Sequence, residues 1–343
     1  MGYRPLGSTG IMVSEISFGA GPVPALMTDA EAVPRQVETV RRALELGLNW
    51  FDTAATYGDG QSERHLGKAL RELGATDDVV LATKVRVPPE QVSRMPEYIR
   101  ESLGGSLERL GRERLDLFQL HNTVTEERGS QTTSLTVDDV LGRGGVVESL
   151  EKLREEGLVT HLGFSAMGEA TALREVLKAG VFATAQVPWN LLEARPTGNG
   201  LRTRIAGPVA HNAAPATSPE AASTEEERVG LEEFVAAGVA VLAIRVLAGG
   251  ALAGRPPSEH TKKTPYFPLS QYEADQAQAA ELAAQLPEGL TIREAAIRYV
   301  VGLPEVTTAV IGFSTPEEVE QVCAFAERGP LPKEVLGVIR EAG

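Results

Sequence analysis

The sequence predicts a (β/α)8 TIM barrel, a closed cylinder of parallel strands ringed by helices. Eight short runs recur along the 343 residues, each apolar enough to be a strand buried on both faces. The stretches between them carry helical spacing, and that alternation favours a parallel barrel over a doubly wound sheet. Four polar side chains stand at or just beyond the ends of consecutive runs, at the rim where barrel enzymes gather their chemistry.

A short hairpin opens the chain, with extended residues 3–5 and 12–16 around a turn at 7–10. Strands are predicted at 16–19, 48–53, 79–85, 115–121, 160–165, 183–187, 239–246 and 308–312. In residues 33–46, Val37, Val40, Ala43, Leu44 and Leu46 gather on one side of a helix. Residues 62–73 present Leu66, Ala69, Leu70 and Leu73 behind Ser62 as N-cap. Further helices are predicted at 96–110, 146–156, 170–179, 225–236 and 316–327, the last with Thr315 as N-cap and Glu318 at the capping-box position. Two stretches break the rhythm: residues 123–145 after the fourth strand, and the Pro-, Ala-, Thr- and Gly-rich residues 195–224 after the sixth. Both are expected as structureless insertion loops over the active-site face. No repeat or linker divides the chain, so residues 1–343 are expected to form a single domain.

Apolar residues make up 42% of the chain, enough for a large core. The net charge of −14, with no basic stripe to offset it, argues against nucleic acid as a partner. One cysteine, Cys323, excludes an internal disulfide, and its helical setting VEQVCAFAE marks a buried thiol. Residues 234–254 carry a single charge, but Arg245 falls near their middle and glycines interrupt them. A buried strand running into a glycine-rich turn explains that stretch better than a membrane span. The opening MGYRPLGSTG has no apolar signal core, which leaves the cytoplasm as the expected location. His65 and His161 lack companions at ligand spacing, so no metal is expected.

The polar residues at the rim are Asp52 ending NWFD, Tyr57 in TAATYG, Lys84 ending LATK and His121 ending LDLFQLH. Burying a charge at the end of an apolar strand is costly unless it is paired, so Asp52 and Lys84 are expected to pair. A cation beside Tyr57 would stabilise its phenolate, making the phenol a usable proton donor near neutral pH. Singly, each residue reads as a cap, a packing group or a satisfied histidine; together at one rim they read as a catalytic constellation.

Several segments resemble aldo-keto reductases, from about residue 3 to residue 322. PLGSTGIMVSEISFGAG is similar to that family's opening, whose hairpin closes the barrel bottom, and NWFDTAATYGDGQSERHLGKAL resembles its signature block. LATKV and LDLFQLHN resemble the segments that carry its Lys and His. The resemblance implies Tyr57 as general acid, Lys84 as its activator, Asp52 as the partner of Lys84, and His121 orienting the substrate carbonyl. THLGFSA and AQVPWN resemble the segments holding the nicotinamide carboxamide, which implies Ser165 and Gln186 as ligands; Ala166 stands where the family has Asn. In AIRVLAGG, Ile244 replaces the Tyr that stacks on nicotinamide, and Arg245 stands open between a pyrophosphate contact and a structural ion pair.

VIGFSTPEEVEQV aligns with the adenosine-phosphate site, placing Gly312, Ser314 and Glu318 there. Gly312 stands where a lysine is common, and Glu318 where arginine or glutamine is. The implied cofactor is NAD or NADP. A carboxylate repels a 2′-phosphate but accepts a bond from a ribose hydroxyl, so Glu318 leans the reading towards NAD. No GxGxxG opens a helix after a strand, and HExxH, GxSxG and P-loop patterns are absent.

The expected function is NAD(P)-dependent hydride transfer with a small carbonyl or alcohol substrate: an aldehyde, ketone or sugar. A cofactor-binding regulatory subunit resembling potassium-channel beta subunits is the alternative, kept open by Ala166 and Ile244. A lyase or isomerase using Lys84 as a Schiff-base amine ranks last, because Asp52 nearby should keep the amine charged. Oligomeric state is not legible.

Overall fold

A computed structural model describes residues 1–194 and 229–341. The chain begins with an antiparallel hairpin, β1 (Tyr3–Pro5) and β2 (Met12–Ser14). Barrel strands β3 (Ile16–Gly19), β4 (Trp50–Asp52), β5 (Val80–Val85) and β6 (Leu115–Leu120) follow in order. After a small parallel pair outside the barrel, β7 (Val124–Thr125) and β8 (Leu135–Thr136), come β9 (Val159–Ser165), β10 (Thr184–Pro188), β11 (Ala240–Ile244) and β12 (Val306–Gly312). All eight barrel strands pair in parallel, and β12 closes the cylinder against β3. The fold is the (β/α)8 barrel that the sequence predicts, with every strand in its expected place.

The helices wrap the outside. They are α1 (Val33–Glu45), α2 (Gln61–Glu72), α3 (Met95–Leu110), α4 (Val137–Leu141), α5 (Val146–Glu155) and α6 (Ala170–Lys178), then α7 (Leu231–Ala236), α8 (Leu269–Ala283), α9 (Ile292–Val301), α10 (Pro316–Glu327) and α11 (Lys333–Glu341). α1 shows why they form: Pro34 sits in its first turn, and Gln36, Thr39, Val40 and Ala43 are the buried positions, a single stripe at helical spacing. Among the described residues no helix is long and apolar enough to cross a membrane.

The hairpin seals the end of the barrel opposite the site. Leu6 and Val13 are fully buried against Trp50, Ala82, Leu117 and Leu242, the inward side chains of the barrel's lower layer. Each such burial stabilises by about 1.5–3 kcal/mol. Arg4 fastens the hairpin by donating to the carbonyls of Val301, Leu303 and Val306 while pairing with Glu15.

Two expectations need correction, and a third falls outside the described residues. Residues 123–145 are not a structureless insertion: they hold β7, β8 and α4, whose N-cap Thr136 forms a reciprocal capping box with Asp139. Asn122 ties the segment down, donating to the carbonyls of Val87 and Thr133 and accepting from the Val87 amide. α8, α9 and α11 are additional to the predicted helices. α8 buries Tyr272, Asp275, Ala279 and Leu282, a helical stripe disguised by an aspartate and alanines, while α9 is buried over most of its surface, Glu294 included. The predicted loop 195–224 and the first residues of the predicted helix 225–236 lie outside the described residues; the described part of that helix is α7.

Candidate active site

Side chains alternate along each strand, so one parity of each strand points into the barrel. That parity runs Trp50 and Asp52 on β4, Ala82 and Lys84 on β5, Leu117, Gln119 and then His121 on β6. It continues with Ser165 on β9, Gln186 on β10, Ile244 on β11 and Gly312 on β12. The lower inward layer is apolar and the upper one polar, so the C-terminal mouth collects nearly every predicted site residue. Asp52, Tyr57, His121, Ser165, Gln186, Ile244, Arg245 and Gly312 all line one cavity of ≈ 630 Å³.

Lys84 is completely buried, and its ammonium donates to Asp52 Oδ1 at 2.5 Å, the Thr53 carbonyl at 2.7 Å and the Tyr57 hydroxyl at 3.4 Å. Those three acceptors use all three of its protons. Burial pushes the ammonium towards neutrality, but Asp52 and Tyr57 outweigh it and hold Lys84 above the ordinary lysine range. An amine nucleophile must be unpaired and deprotonated, so the Schiff-base reading has no support here. The second oxygen of Asp52 accepts from the amides of Gln186 at 2.6 Å and Gln119 at 3.1 Å, which leaves a carboxylate clamped by donors. The Tyr57 ring lies 4.9 Å from the ammonium.

The His121 ring meets that of Tyr57 edge-on at 5.5 Å, and its Nδ1 lies 3.5 Å from Thr56 Oγ1. Burial, reinforced by the charges of Arg86 and Lys84, holds the His121 imidazole well below its ordinary value, so it is neutral at physiological pH. A phenol touching an ammonium beside a neutral imidazole can pass a proton to an oxygen held between them.

The residues expected to hold the cofactor are less uniform. Ser165 and Gln186 are buried at the cavity wall, but the Gln186 amide is engaged by Asp52, so it belongs to the network under Lys84 as well. Of the two readings left open for Arg245 the structure shows the ion pair: it pairs with Asp275 at 3.4 Å and stacks 3.8 Å over the Phe267 ring, while also lining the cavity. Gly312 is fixed by steric need. A Cβ there would come within 2.5 Å of the Val23 carbonyl and Pro24, whose segment forms one wall.

Ser314 and Glu318 are not at the cavity surface; they hold something that is. The Glu318 carboxylate takes the Arg255 guanidinium and the Ser314 amide, while Ser314 Oγ accepts from Arg255 at 3.2 Å. Arg293 lies alongside, its Nε buried without a hydrogen-bond partner among the described residues. Burial and the charge of Arg255 lower the Arg293 guanidinium, as expected for two crowded cations. The lean towards NAD loses its premise: it rested on an uncompensated carboxylate, and Glu318 is paired with the Arg255 guanidinium, with Arg293 beside it. A cradle with two cations and an orphaned buried N–H fits the phosphates of a nicotinamide dinucleotide.

Sequence reasoning missed Arg86, Gln119, Arg255 and Arg293, and with them the segment 255–267 that roofs the cavity. Gln119 and Arg86 carry a legible signal, since both fall on the inward parity of strands that already hold His121 and Lys84. Residues 123–145, expected over the site, do not line the cavity; Thr133 instead braces the roof by bonding the Tyr266 hydroxyl at 2.9 Å. Among the described residues no three His, Cys, Asp or Glu side chains group to hold a metal.

Comparison with known proteins agrees with this geometry. L-galactose dehydrogenase of Arabidopsis thaliana is 27% identical over 326 residues, covering 94% of this chain and 88% of that one. The holo form of an aldo-keto reductase from Bacillus halodurans superposes with a TM-score of 0.71 at 27% identity, over 100% of this chain and 96% of that one. An aldo-keto reductase from Klebsiella pneumoniae, solved with NADPH, shares the fold at TM-score 0.64 and 21% identity, over 98% and 94% of the two chains. The model of the aldo/keto reductase family matches residues 16–203 and 218–343. A closed parallel barrel with a buried Asp–Lys pair reaching Tyr57 at its mouth, matched along nearly its whole length, makes this chain a member of the aldo/keto reductase family.

Proposed function

We propose that the protein interconverts a carbonyl and an alcohol with NADP(H) as cofactor, and that Tyr57 carries the proton. The bound nicotinamide would supply or accept the hydride, and Ser165, Gln186 and Ile244 would form its bed. The chain's own residues do the rest. Tyr57 delivers its proton to the substrate oxygen in reduction and takes it back in oxidation. Lys84, held charged by Asp52, stabilises the phenolate left behind. His121, neutral and next to Tyr57, presents an N–H to the same oxygen and fixes the orientation of the carbonyl. The apolar roof of Pro256, Pro265 and Phe267 keeps bulk water from the reacting carbon.

The observation that carries this reading is the Lys84 ammonium bonded at once to Asp52 and the Tyr57 hydroxyl. The choice of NADP over NAD rests on Arg255 and Arg293, which can receive a 2′-phosphate beside a carboxylate already neutralised. Fluorescence titration with NADPH and NADH tests the class and the cofactor together, followed by turnover on a panel of aldehydes, ketones and sugars. Binding of NADPH at least tenfold tighter than NADH is expected, with turnover on part of the panel. Equal affinities would remove the NADP assignment, and tight binding without turnover would favour a regulatory subunit.

A further inference from the structure

Arg86 is a cavity cation that the proposed chemistry does not use. It stands two residues beyond Lys84, on the same inward parity, roughly 6.6 Å further out along the strand direction. It lines the cavity on the side of Tyr57 and His121, away from the Arg255, Arg293 and Glu318 cluster set between the β11 turn, α9 and α10. Its guanidinium stacks 4.6 Å over the Tyr266 ring, and Tyr266 is in turn held by its hydroxyl contacts with Thr133 and the Thr132 carbonyl. Yet among the described residues Arg86 has no hydrogen bond or ion pair, and its Nε is buried without a partner. Burial, and after it the charge of Arg86, lowers both His121 and, in the roof, His260.

The wider charge pattern agrees. On the cavity wall Arg245 is paired with Asp275, Arg255 with Glu318, and Lys263 lies 4.0 Å from Glu259, whereas Arg86 has no carboxylate partner among the described residues; the wall's one carboxylate, Asp52, is satisfied by Lys84. A cation held rigid by stacking, with unfilled donors facing a space that takes substrate, is built to receive an oxyanion. The structure assigns Arg86 as the specificity residue for an anionic substrate. On this assignment the cavity takes a carbonyl or hydroxy compound bearing a carboxylate or phosphate on a short carbon spacer, anion on Arg86 and carbonyl between Tyr57 and His121. This rests on the oxidoreductase reading above, and two measurements separate its failure from the failure of that reading.

The first needs no turnover. Succinate and inorganic phosphate are titrated calorimetrically into protein saturated with NADP, for the native chain and for Arg86→Met. At least one anion is expected to bind the native protein, tenfold or more weaker in Arg86→Met; which one tells carboxylate from phosphate. Equal affinity in both proteins, or no binding of either anion to the native one, overturns the assignment. The second compares kcat/KM for 4-oxobutanoate over butanal. Losing a hydrogen-bonded charge pair should lower that ratio about 10- to 100-fold in Arg86→Met. Equal loss on both substrates would make Arg86 a structural residue and also overturn it. Arg86→Lys, which keeps the charge but not the planar fork, is expected to fall between the two and serves if the Met variant does not fold. Failure of both aldehydes to turn over would count against the oxidoreductase reading and leave the calorimetric result on Arg86 standing.

Discussion

Replacing Lys84 with methionine separates the two tasks assigned to its ammonium. The side chains of Lys84 and Asp52 are 0% and 4% exposed, so the pair is dry and its removal is not screened by solvent. Lys84→Met leaves the Asp52 carboxylate buried, and breaking one partner of such a pair costs about 3–5 kcal/mol. Two donors remain, Gln186 at 2.6 Å and Gln119 at 3.1 Å, which places the cost towards the lower figure. For a chain of this size, that lowers the melting temperature by roughly 4–6 °C. The double variant Asp52→Asn/Lys84→Met carries no buried charge and should regain most of that loss. Turnover should behave differently. Without the cation the Tyr57 phenol loses its activator, and the rate should fall about 10²- to 10⁴-fold in both the single and the double variant. Circular dichroism melts and steady-state carbonyl reduction measure the two effects on the same samples. A double variant that recovers turnover along with stability, or a single variant keeping more than a tenth of the rate, would refute the assignment of Lys84 as activator.

Two further outcomes follow from burial. The His121 imidazole is depressed below its unfolded value, so the native state binds fewer protons than the unfolded chain as pH drops through about 6.5. Stability should therefore be lost on the acid side, less so in His121→Gln, and the nitrogen resonances of His121 should still report a neutral ring at about pH 6, where a free imidazole is mostly charged; a midpoint near the free value would contradict this. Cys323 is 3% exposed and its thiol is pushed up to about 11 by burial, so labelling of the native protein at mildly alkaline pH should be at least ~100-fold slower than of the unfolded chain; comparable rates would show that the α10 face opens.

Much of the barrel could be read because its strands are buried on both faces. That requirement makes each run apolar and lets a single polar side chain at its end stand out, which is how Asp52, Lys84 and His121 announced themselves. Ser165, Gln186 and Gly312 followed from matched segments, and the structure brings all three to the same wall. What stayed hidden lacked local contrast. Arg293 sits on α9, where seven of the ten residues are buried, Glu294 among them, so no single apolar stripe marks it as helical. Arg255 meets Glu318 across 63 residues of sequence, a pairing that no spacing rule anticipates, and without it Glu318 reads as a repulsive charge. β7, β8 and α4 span two, two and five residues, too short for either period to register, so the stretch 123–145 passed for a loop. Arg86 was legible by parity with Lys84 but falls just past the strand, where the following prolines suggest a turn.

The proton carried by Tyr57 is the claim on which the functional reading turns, and Tyr57→Phe tests it most directly. That change removes one oxygen from the cavity wall and leaves the Asp52–Lys84 pair intact. NADPH affinity, measured by fluorescence, should stay within about threefold of the native value while carbonyl reduction falls at least about 10²-fold. A phenylalanine variant that binds NADPH normally and still reduces its substrate at more than a tenth of the native rate would contradict the role given to Tyr57.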